Sequence, residues 1–456
     1  MTSDTVSRPL AAPTREDPLA AAASEPLGGP AGRHRLTGRT SWWTPLRIVL
    51  AVACVTFGLG LLSKASCRDV GWDRDERVLW TGMCYSDVAL LYRERGFADG
   101  NVAYFDTGSY PVLEYPVLTG AVMQVGAWLV PAFTAWGSDP SSSAVGDSVA
   151  FFDATALLLW LCALGTVAAV ARTVPRRPWD GLLVAAAPVL ALTATINWDL
   201  VAALLVALAV FAWTRERPGM SGVLIGVGAA VKLYPALLLG PVLVLCVRQR
   251  RWAELGATLA GAAGAWLVVN APVFLLARDQ WLYFWTFNDE RGAELGSPWF
   301  ALGRLGVSFD PVTLDRWAVL LMLGCCFAIA VLGWSAPQPP RLAQLALLVV
   351  AAFVLVNKVW SPQYALWLLP LAALARPRWR DLLIWQAGEV AYFVGVWLYL
   401  DALNYPDDAY INGGVYAALV ALRMLTLLWL VAMVVRDIAV PQLDPVRPYL
   451  PAGAPA

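Results

Sequence analysis

Long apolar runs recur along most of this 456-residue sequence and constrain its fold more than any other feature. Hydrophobic residues make up 59% of the chain and charged residues only 14%, whereas about a quarter of the residues in a soluble domain are charged. The runs lie at residues 48–62, 117–136, 150–171, 181–196, 200–213, 222–247, 255–277, 317–334, 342–356, 365–375, 382–400 and 415–435. Because a helix needs about 20 apolar residues to span a bilayer, we predict an all-α, polytopic transmembrane bundle of about 10 to 13 membrane segments, some short, tilted or broken.

Both ends of the sequence are more polar than its centre. Residues 1–44 are rich in Ala, Pro, Thr and Arg without an apolar period, a composition typical of disordered segments. We predict a disordered cytoplasmic tail over residues 1–44, a multi-pass membrane domain over 45–436 and a cytoplasmic C-terminal tail over 437–456. The membrane domain includes a long first loop, 64–115, on the extracytoplasmic side. The formal net charge is zero, and no nucleic-acid partner is expected.

Arginine clusters between the apolar runs predict how the chain is oriented. They stand at residues 33–47, 172–177, 215–217, 248–251 and 376–380 and at Arg436. Cytoplasmic loops carry the excess of basic residues, so this assignment places loops 64–115 and 278–315 outside. A full crossing by residues 117–136 would put the 172–177 cluster outside as well. Either that run only dips into the membrane or the cluster breaks the rule.

The run 222–247 has a basic cluster at each end and must therefore enter the membrane and return. Lys232-Leu233-Tyr234-Pro235 lies near its middle, and proline disfavours a continuous helix. We predict two half-helices with a bend at the outer side.

The first polar loop holds the candidate catalytic acids, Asp87 and Glu114. A carboxylate near an apolar wall can act as a general base with a shifted pKa; an ordinary solvated loop is the alternative. The one histidine, His34, lies in the N-terminal stretch, which argues against a histidine base or a histidine-ligated metal. Cys67 and Cys84 both lie in this loop, and an oxidising compartment would allow a disulfide between them.

Lysine is rare in this chain, and two of its lysines lie between apolar runs, Lys232 and Lys358. Ionisable groups in such places are costly and indicate a function, here binding of a phosphate group at the membrane interface. The alternatives are a structural pair with an acid for Lys232 and a snorkelling loop residue for Lys358. Lys64 lies at a helix end, where snorkelling explains it.

Polar and aromatic residues complete the candidate site. Arg291 joins the lysines as a candidate phosphate ligand. The candidate substrate-binding residues are Tyr115, Asn197, Asp199, Tyr234, Trp360, Gln363 and Tyr364. Asn197 and Asp199 would equally suit a tight turn or a helix cap. No P-loop, nucleotide-binding glycine pattern or zinc spacing occurs in the sequence, so neither a cofactor nor a metal is expected.

The order and spacing of these motifs resemble the membrane glycosyltransferases of family 87, over about residues 45–435. The motifs are Asp87 in a long first loop, Glu114-Tyr115-Pro116, Asn197-Trp198-Asp199, Lys232-Leu233-Tyr234-Pro235 and Lys358-Val359-Trp360-Ser361-Pro362-Gln363-Tyr364. The family belongs to the GT-C superfamily and includes actinobacterial polyprenyl-phosphate-mannose-dependent mannosyltransferases. The chain departs from many relatives at Tyr115-Pro116-Val117, which lacks a second proline.

The resemblance implies a sugar donor linked through phosphate to a polyprenol, used on the outer face of the plasma membrane. It also implies a first-loop acid as the base, which maps to Asp87, and a cell-envelope glycan or glycolipid acceptor. The chemistry agrees, because a leaving lipid phosphate needs cations rather than a general acid. We predict an inverting hexosyltransferase, with mannose as the expected sugar. The rival classes are a transporter or flippase for a lipid-linked or small anionic substrate and a non-catalytic scaffold.

Overall fold

The computed structural model describes residues 10–11, 16–27, 42–73, 76–106, 108–137, 144–307 and 309–450. These residues form helices and no β-strand, which confirms the predicted all-α bundle. The α-helices are α1 (Pro18–Ser24), α2 (Pro45–Leu62), α3 (Ala65–Asp69), α4 (Val78–Thr81), α5 (Asp87–Glu94), α6 (Val117–Gly137), α7 (Ala144–Thr173), α8 (Leu182–Ala185), α9 (Pro188–Thr193), α10 (Asp199–Thr214), α11 (Pro218–Val231), α12 (Leu239–Gln249), α13 (Trp252–Leu276), α14 (Arg278–Glu290), α15 (Pro298–Arg304), α16 (Pro311–Ser335), α17 (Leu342–Val356), α18 (Ala365–Ala375), α19 (Trp379–Asn404) and α20 (Gly413–Ala439).

The bundle contains apolar helices of two lengths. Seven in the described part of the chain are long and apolar enough to span a membrane, namely α2, α6, α7, α13, α16, α19 and α20. Shorter apolar segments of 10–17 residues lie among them: Asp199–Thr214, Pro218–Val231, Tyr234–Gln249, Leu342–Val356 and Pro362–Ala375. The predicted mixture of long and short segments is therefore present.

Ion pairs tie helix ends together at one end of the bundle, which we call the arginine-rich end. Arg376, which follows α18, bonds Asp381 at the start of α19 and Asp437 near the end of α20, at 2.6 and 2.5 Å. Arg341, which precedes α17, bonds the buried Asp444 at 2.9 Å. The opposite end, where α17 and α19 finish and the 64–115 loop lies, is the loop end.

The predicted break near Lys232 is present. Helix α11 stops at Val231, Lys232 is extended with φ −149° and ψ 146°, and a 3₁₀ turn over Tyr234–Leu238 leads into α12. At the far end of α12, Arg248 donates to two carbonyl oxygens at the end of α16, which holds it at the arginine-rich end. Lys232 is consequently left at the loop end, at the tip of two half-helices.

Helix α11 is held close to α13 by glycine. A Cβ atom on Gly222 would lie 2.1 Å from the carbonyl oxygen of Thr258, and one on Gly226 would lie 2.2 Å from that of Ala262. Only residues without a side chain permit backbones to approach this closely. This contact fixes the height of Lys232 relative to α13 and to the aromatic helix α14 that follows it.

The path of α6 explains why the 172–177 cluster stays with the other arginines. Thr119, at the start of α6, donates to the carbonyl oxygen of Val231 at the loop end. Gly126 then packs on Phe151 and Thr155 in the first half of α7. The second half of α7 runs beside α2 instead, since Gly181 contacts both Ala171 and Val49. Helix α6 thus stays at the loop end and does not reach the arginine-rich end.

Parts of both predicted tails are folded against the arginine-rich end, which differs from the prediction. The carboxylate of Asp17 caps α1 and accepts a 2.9 Å hydrogen bond from the backbone of Trp379. Helix α20 continues past residue 436 to Ala439, and the chain beyond it remains packed as far as Val446. The other residues of the predicted tails include 1–9, 12–15, 28–41 and 451–456, which lie outside the described residues.

Candidate active site

The segment that carries Asp87 is anchored through Tyr85 and Cys84. Cys67 and Cys84 form a disulfide. The Lys64 ammonium donates to the carbonyl oxygen of Tyr85 at 3.0 Å. Lys64 is fully buried rather than snorkelling, and this burial lowers its pKa to about 7. Cys67 and Lys64, at the start of the first loop, therefore anchor the segment that leads into Asp87.

The backbone of Asp87 is fixed by hydrogen bonds to the segment between α9 and α10. Its amide donates to the carbonyl oxygen of Ile196 at 2.8 Å. The neighbouring Ser86 hydroxyl donates to the carbonyl oxygen of Thr195 at 2.7 Å and also caps α5 by accepting from the amide of Val88. Asp87 is thus the first residue of a capped helix and has little freedom to move.

The side chain of Asp87 has the properties of a base that works near neutral pH. Burial, the largest influence, raises its pKa to about 6. The Tyr85 hydroxyl donates to one of its carboxylate oxygens at 2.9 Å and, like the charge of Lys232, lowers this pKa, whereas Glu114 and Asp199 raise it. The carboxylate is therefore ionised at neutral pH and still more basic than a solvated aspartate.

Asp87 opens onto a cavity of about 590 Å³ at the loop end. Most residues predicted for the site line it: Asp87, Glu114, Tyr115, Asn197, Lys232, Tyr234, Arg291, Lys358, Gln363 and Tyr364. Two predicted substrate-binding residues lie behind the wall instead. Asp199 and Trp360 are both fully buried and do not line the cavity.

Asp199 contributes to the cavity through Lys232. Its carboxylate lies 3.4 Å from the Lys232 ammonium, and neither carboxylate oxygen accepts a hydrogen bond from a described residue. The Asn197 side chain accepts from the Asp199 amide at 3.0 Å, which is the turn role that the sequence left open. The Lys232 ammonium also stands 4.7 Å from the centre of the Tyr115 ring. Lys232 is held between an acid and an aromatic face.

Glu114 is less suited to act as a base than Asp87. Both of its oxygens accept from the guanidinium of Arg95, each at 2.9 Å. A bidentate pair of this kind is among the stronger hydrogen-bonding arrangements in proteins. The pair braces the end of the first loop where it meets the cavity.

The two other candidate cations, Lys358 and Arg291, also form ion pairs with nearby carboxylates. Lys358 bonds Asp315 at 2.8 Å and donates to the carbonyl oxygen of Asp289 at 3.0 Å. Arg291 bonds Glu294 at 3.1 Å. A phosphate in the cavity would share these cations with their carboxylates and would not meet isolated charges.

Several buried polar atoms at the cavity have no hydrogen-bond partner among the described residues. They are the Tyr234 hydroxyl, the Gln363 carbonyl oxygen and the indole nitrogens of Trp367 and Trp397. All four residues line the cavity and are at most 7% exposed. A buried polar group left without a partner costs about 1–3 kcal/mol. These four polar atoms are therefore buried in the cavity wall and have no partner among the described residues.

Comparisons with known proteins identify the family of this chain. The model of glycosyltransferase family 87 matches residues 115–357, just over half of the chain. The chain belongs to glycosyltransferase family 87. No curated protein sequence matches the chain. Among solved structures, ArnT from Cupriavidus metallidurans bound to undecaprenyl phosphate aligns with a TM-score of 0.45 and 16% identity, covering 89% of this chain and 79% of that one.

Family 87 membership confirms the prediction of a membrane glycosyltransferase over a transporter or a scaffold. The matched region contains Tyr115, Asn197, Lys232 and Arg291, whereas Asp87 precedes it. The family match therefore does not cover Asp87, and its assignment as a candidate base rests on its position in the cavity.

Sequence reasoning missed several residues that line the cavity of this family 87 enzyme. They are Trp80, Tyr85, Phe284, Phe287, Asn288, Glu294, Asn357, Ser361, Trp367, Tyr392 and Trp397. Tyr85 lies two residues before Asp87 in the sequence, and Phe284 and Phe287 lie among the aromatic residues of α14. Trp367 and Trp397 lie within apolar runs, where a cavity-lining and a lipid-facing aromatic residue look alike.

A buried arginine on α20 positions the 357–361 segment of this glycosyltransferase. Arg423 bonds Glu389 at 2.8 Å and donates to the carbonyl oxygens of Trp360 and Ser361 at 2.7 and 3.1 Å. Its guanidinium lies 4.1 Å from the Trp360 ring centre. Trp360 therefore acts as a packing surface for this arginine, and Ser361 is presented to the cavity.

We expect Arg423→Met to lower stability by about 3–5 kcal/mol, because it leaves the Glu389 carboxylate buried and unpaired. The double variant Arg423→Met/Glu389→Leu removes both charges and should recover most of the melting temperature. Both variants should have a higher KM for the donor than the wild type, since neither has a side chain that holds the carbonyl oxygens of Trp360 and Ser361. A double variant with the wild-type KM would limit Arg423 to a purely structural role.

The disulfide closes a loop with a sequence separation of 17 between Cys67 and Cys84. Chain-entropy arguments give a bridge of this size about 3 kcal/mol of stabilisation. We expect Cys67→Ser to lower the melting temperature and to abolish the mobility difference between reduced and non-reduced protein on a gel. Cys54→Ser, at a free cysteine in α2, is the matched control. A wild-type protein whose gel mobility is unchanged by reductant would contradict the bridge.

Proposed function

We propose that this enzyme transfers a hexose, with mannose the expected sugar, from a polyprenyl-phosphate donor to a glycan or glycolipid of the cell envelope. One observation carries the proposal: a base with a pKa of about 6, Asp87, lines the same cavity as Lys232, Arg291 and Lys358. A base and cations in one cavity are what a single displacement at a sugar phosphate requires.

In the proposed step, the Asp87 carboxylate takes the proton of an acceptor hydroxyl as that oxygen attacks the anomeric carbon. The bond from the anomeric carbon to the phosphate oxygen breaks, and the polyprenyl phosphate leaves with the bonding electrons. Attack from the face opposite the phosphate inverts the configuration. The leaving phosphate is a weak base, so it requires stabilising charge and no proton donor.

Lys232 is the cation best placed to stabilise that phosphate. It is partly buried, it lines the same cavity as Asp87, and its positive charge lowers the pKa of that carboxyl group. Apolar side chains also line this cavity, including Phe284, Phe287 and the 40% exposed Leu233. Such a lining suits an isoprenoid chain that arrives from the bilayer while its phosphate stays in the cavity.

The distribution of arginine supports an extracytoplasmic site in the plasma membrane. The basic clusters after α7, α10, α12 and α18 lie at the arginine-rich end, which the positive-inside rule assigns to the cytoplasm. The cavity at the loop end then faces outward. An exposed Asp106→Cys should react with a membrane-impermeant maleimide in intact cells, and Glu216→Cys, at the other end, only after lysis. The reverse pattern would contradict this orientation.

The pH dependence of transfer should report the state of Asp87. A protonated carboxyl cannot accept the hydroxyl proton, so kcat should fall as the pH drops below about 6 and reach a plateau above it. Tyr85→Phe removes a hydrogen bond that lowers this pKa, and the midpoint of the profile should therefore move to higher pH. A midpoint unchanged in Tyr85→Phe would indicate that another group titrates.

The experiment that tests the function supplies purified protein in lipid nanodiscs with polyprenyl phosphates carrying mannose, glucose or galactose, together with an extract of cell-envelope glycolipids. We expect release of polyprenyl phosphate and transfer of labelled hexose to the extract, with mannose preferred. Absence of release with every donor would contradict the function. Movement of intact donor between leaflets without bond cleavage would instead support a flippase.

A further inference from the structure

We propose that Trp80, Tyr85 and Trp397 form a subsite for the terminal sugar of the acceptor, a neutral pyranose ring held beside Asp87. This inference rests on the proposed function and specifies which surface of the cavity receives the acceptor. It also states the acceptor's chemistry at the reacting end, a carbohydrate ring in place of a lipid or protein hydroxyl.

The three rings pack against one another in the cavity wall, and we call this cluster the aromatic surface. Tyr85 stacks on Trp80 with ring centres 5.4 Å apart and lies 5.2 Å from Trp397, and the two indoles are 6.3 Å apart. All three residues line the cavity. A pyranose presents an apolar C–H face and a rim of hydroxyl groups, so it can cover such a surface and leave its hydroxyls to polar partners.

Polar atoms for the hydroxyl rim are present at the same place. The indole nitrogen of Trp397 is buried and has no hydrogen-bond partner among the described residues. The Tyr85 hydroxyl donates to Asp87 at 2.9 Å, which puts the base at the edge of the aromatic surface. A sugar on this surface would accept a hydrogen bond from Trp397 and direct another hydroxyl toward Asp87.

The surface is held rigid from behind by an ion pair. Arg77, which precedes the helix of Trp80, donates to both carboxylate oxygens of Asp401 at 2.8 and 2.9 Å. Asp401 is fully buried and lies one helical turn after Trp397 on α19. The pair fixes the two tryptophans relative to each other before any ligand binds, which reduces the entropy lost on binding.

Charge separates this subsite from the one expected for phosphate. Lys232, Arg291 and Lys358 come from the α11–α12 break, the segment after α14 and the segment after α17. The aromatic surface is built from α4, the segment before α5, and α19, and it contributes no cation to the cavity lining. It therefore suits an uncharged ring, whereas the lysines and Arg291 suit the donor.

The subsite can be tested with methyl α-D-mannopyranoside as the probe and mannitol as a polyol without a ring face. Saturation-transfer NMR on protein in nanodiscs should show contacts to the pyranoside C–H face and none to mannitol. Trp397→Ala should raise the dissociation constant of the pyranoside about tenfold, the loss of one good aromatic contact. Trp397→Phe keeps a ring and loses the N–H, so its dissociation constant for the pyranoside should lie between those of the wild type and Trp397→Ala. Trp334→Ala, an exposed tryptophan near the end of α16, is the matched control.

The outcomes separate this inference from the proposed function. Binding of undecaprenyl phosphate, measured by native mass spectrometry, should be the same in wild type and in both Trp397 variants and shows that they are folded. Equal pyranoside affinity in wild type and Trp397→Ala, no pyranoside binding, or equal binding of mannitol would each overturn the acceptor subsite. Failure of the wild type to bind undecaprenyl phosphate would instead contradict a polyprenyl-phosphate donor. The pyranoside measurements would still decide whether the acceptor subsite exists.

Discussion

Asp87→Asn is expected to reduce sugar transfer by about a thousandfold, within the usual range for removal of a general base. Asparagine has the same shape, and its carbonyl oxygen can still accept the hydrogen bond of the Tyr85 hydroxyl. The amide cannot take the acceptor proton, so only this function is lost. The measurement is kcat for transfer of labelled hexose, with the melting temperature and donor binding expected to remain at wild-type values.

Asp69→Asn is the matched control for this prediction. Asp69 is an exposed carboxylate in the same loop, and its substitution should leave kcat within about twofold of the wild type. If Asp87→Asn retained wild-type turnover, the base would have to be another group, and Glu114 would be examined next. Release of Glu114 from Arg95 would then have to accompany substrate binding.

Lys232→Met is expected to lower kcat by about a hundredfold or more, the usual effect of removing one stabilising donor from a developing anion. The single substitution has a second consequence, because it leaves the buried carboxylate of Asp199 without its cation. Breaking such a pair costs about 3–5 kcal/mol. A loss of activity in this variant alone would therefore not distinguish catalysis from folding.

The double variant Lys232→Met/Asp199→Asn separates the two effects. It removes the unpaired charge, so the melting temperature should return close to the wild-type value. The transfer rate should stay low, because the leaving phosphate still has no cation at this position. Recovery of the rate together with stability would show that Lys232 serves only to neutralise Asp199.

The helices could be predicted from the sequence because each membrane crossing requires an apolar run. The bend at Lys232 was also predictable, since Pro235 stands between two basic clusters that must share one side of the membrane. The path of α6 could not be predicted from the sequence. Its composition equals that of a crossing helix, and only its contacts with Val231 and with Phe151 show that it stays at the loop end.

Most of the candidate site could be assembled from the sequence because its charged residues were out of place among apolar runs. Arg423 and Glu389 carried the same signal and were missed, although a charge inside a long apolar run indicates a role. The acceptor surface could not have been found in this way. Trp80 and Trp397 lie far apart in the chain and resemble interfacial tryptophans until Arg77 and Asp401 bring their helices together.

The most direct test of the account is a structure of the enzyme in nanodiscs with a non-hydrolysable phosphonate analogue of polyprenyl-phosphate mannose. We predict that the phosphonate contacts Lys232, with the anomeric carbon in the 590 Å³ cavity facing Asp87. The prenyl chain should leave past Leu233 into the bilayer. A headgroup bound outside this cavity, for example at the arginine-rich end, would contradict the account.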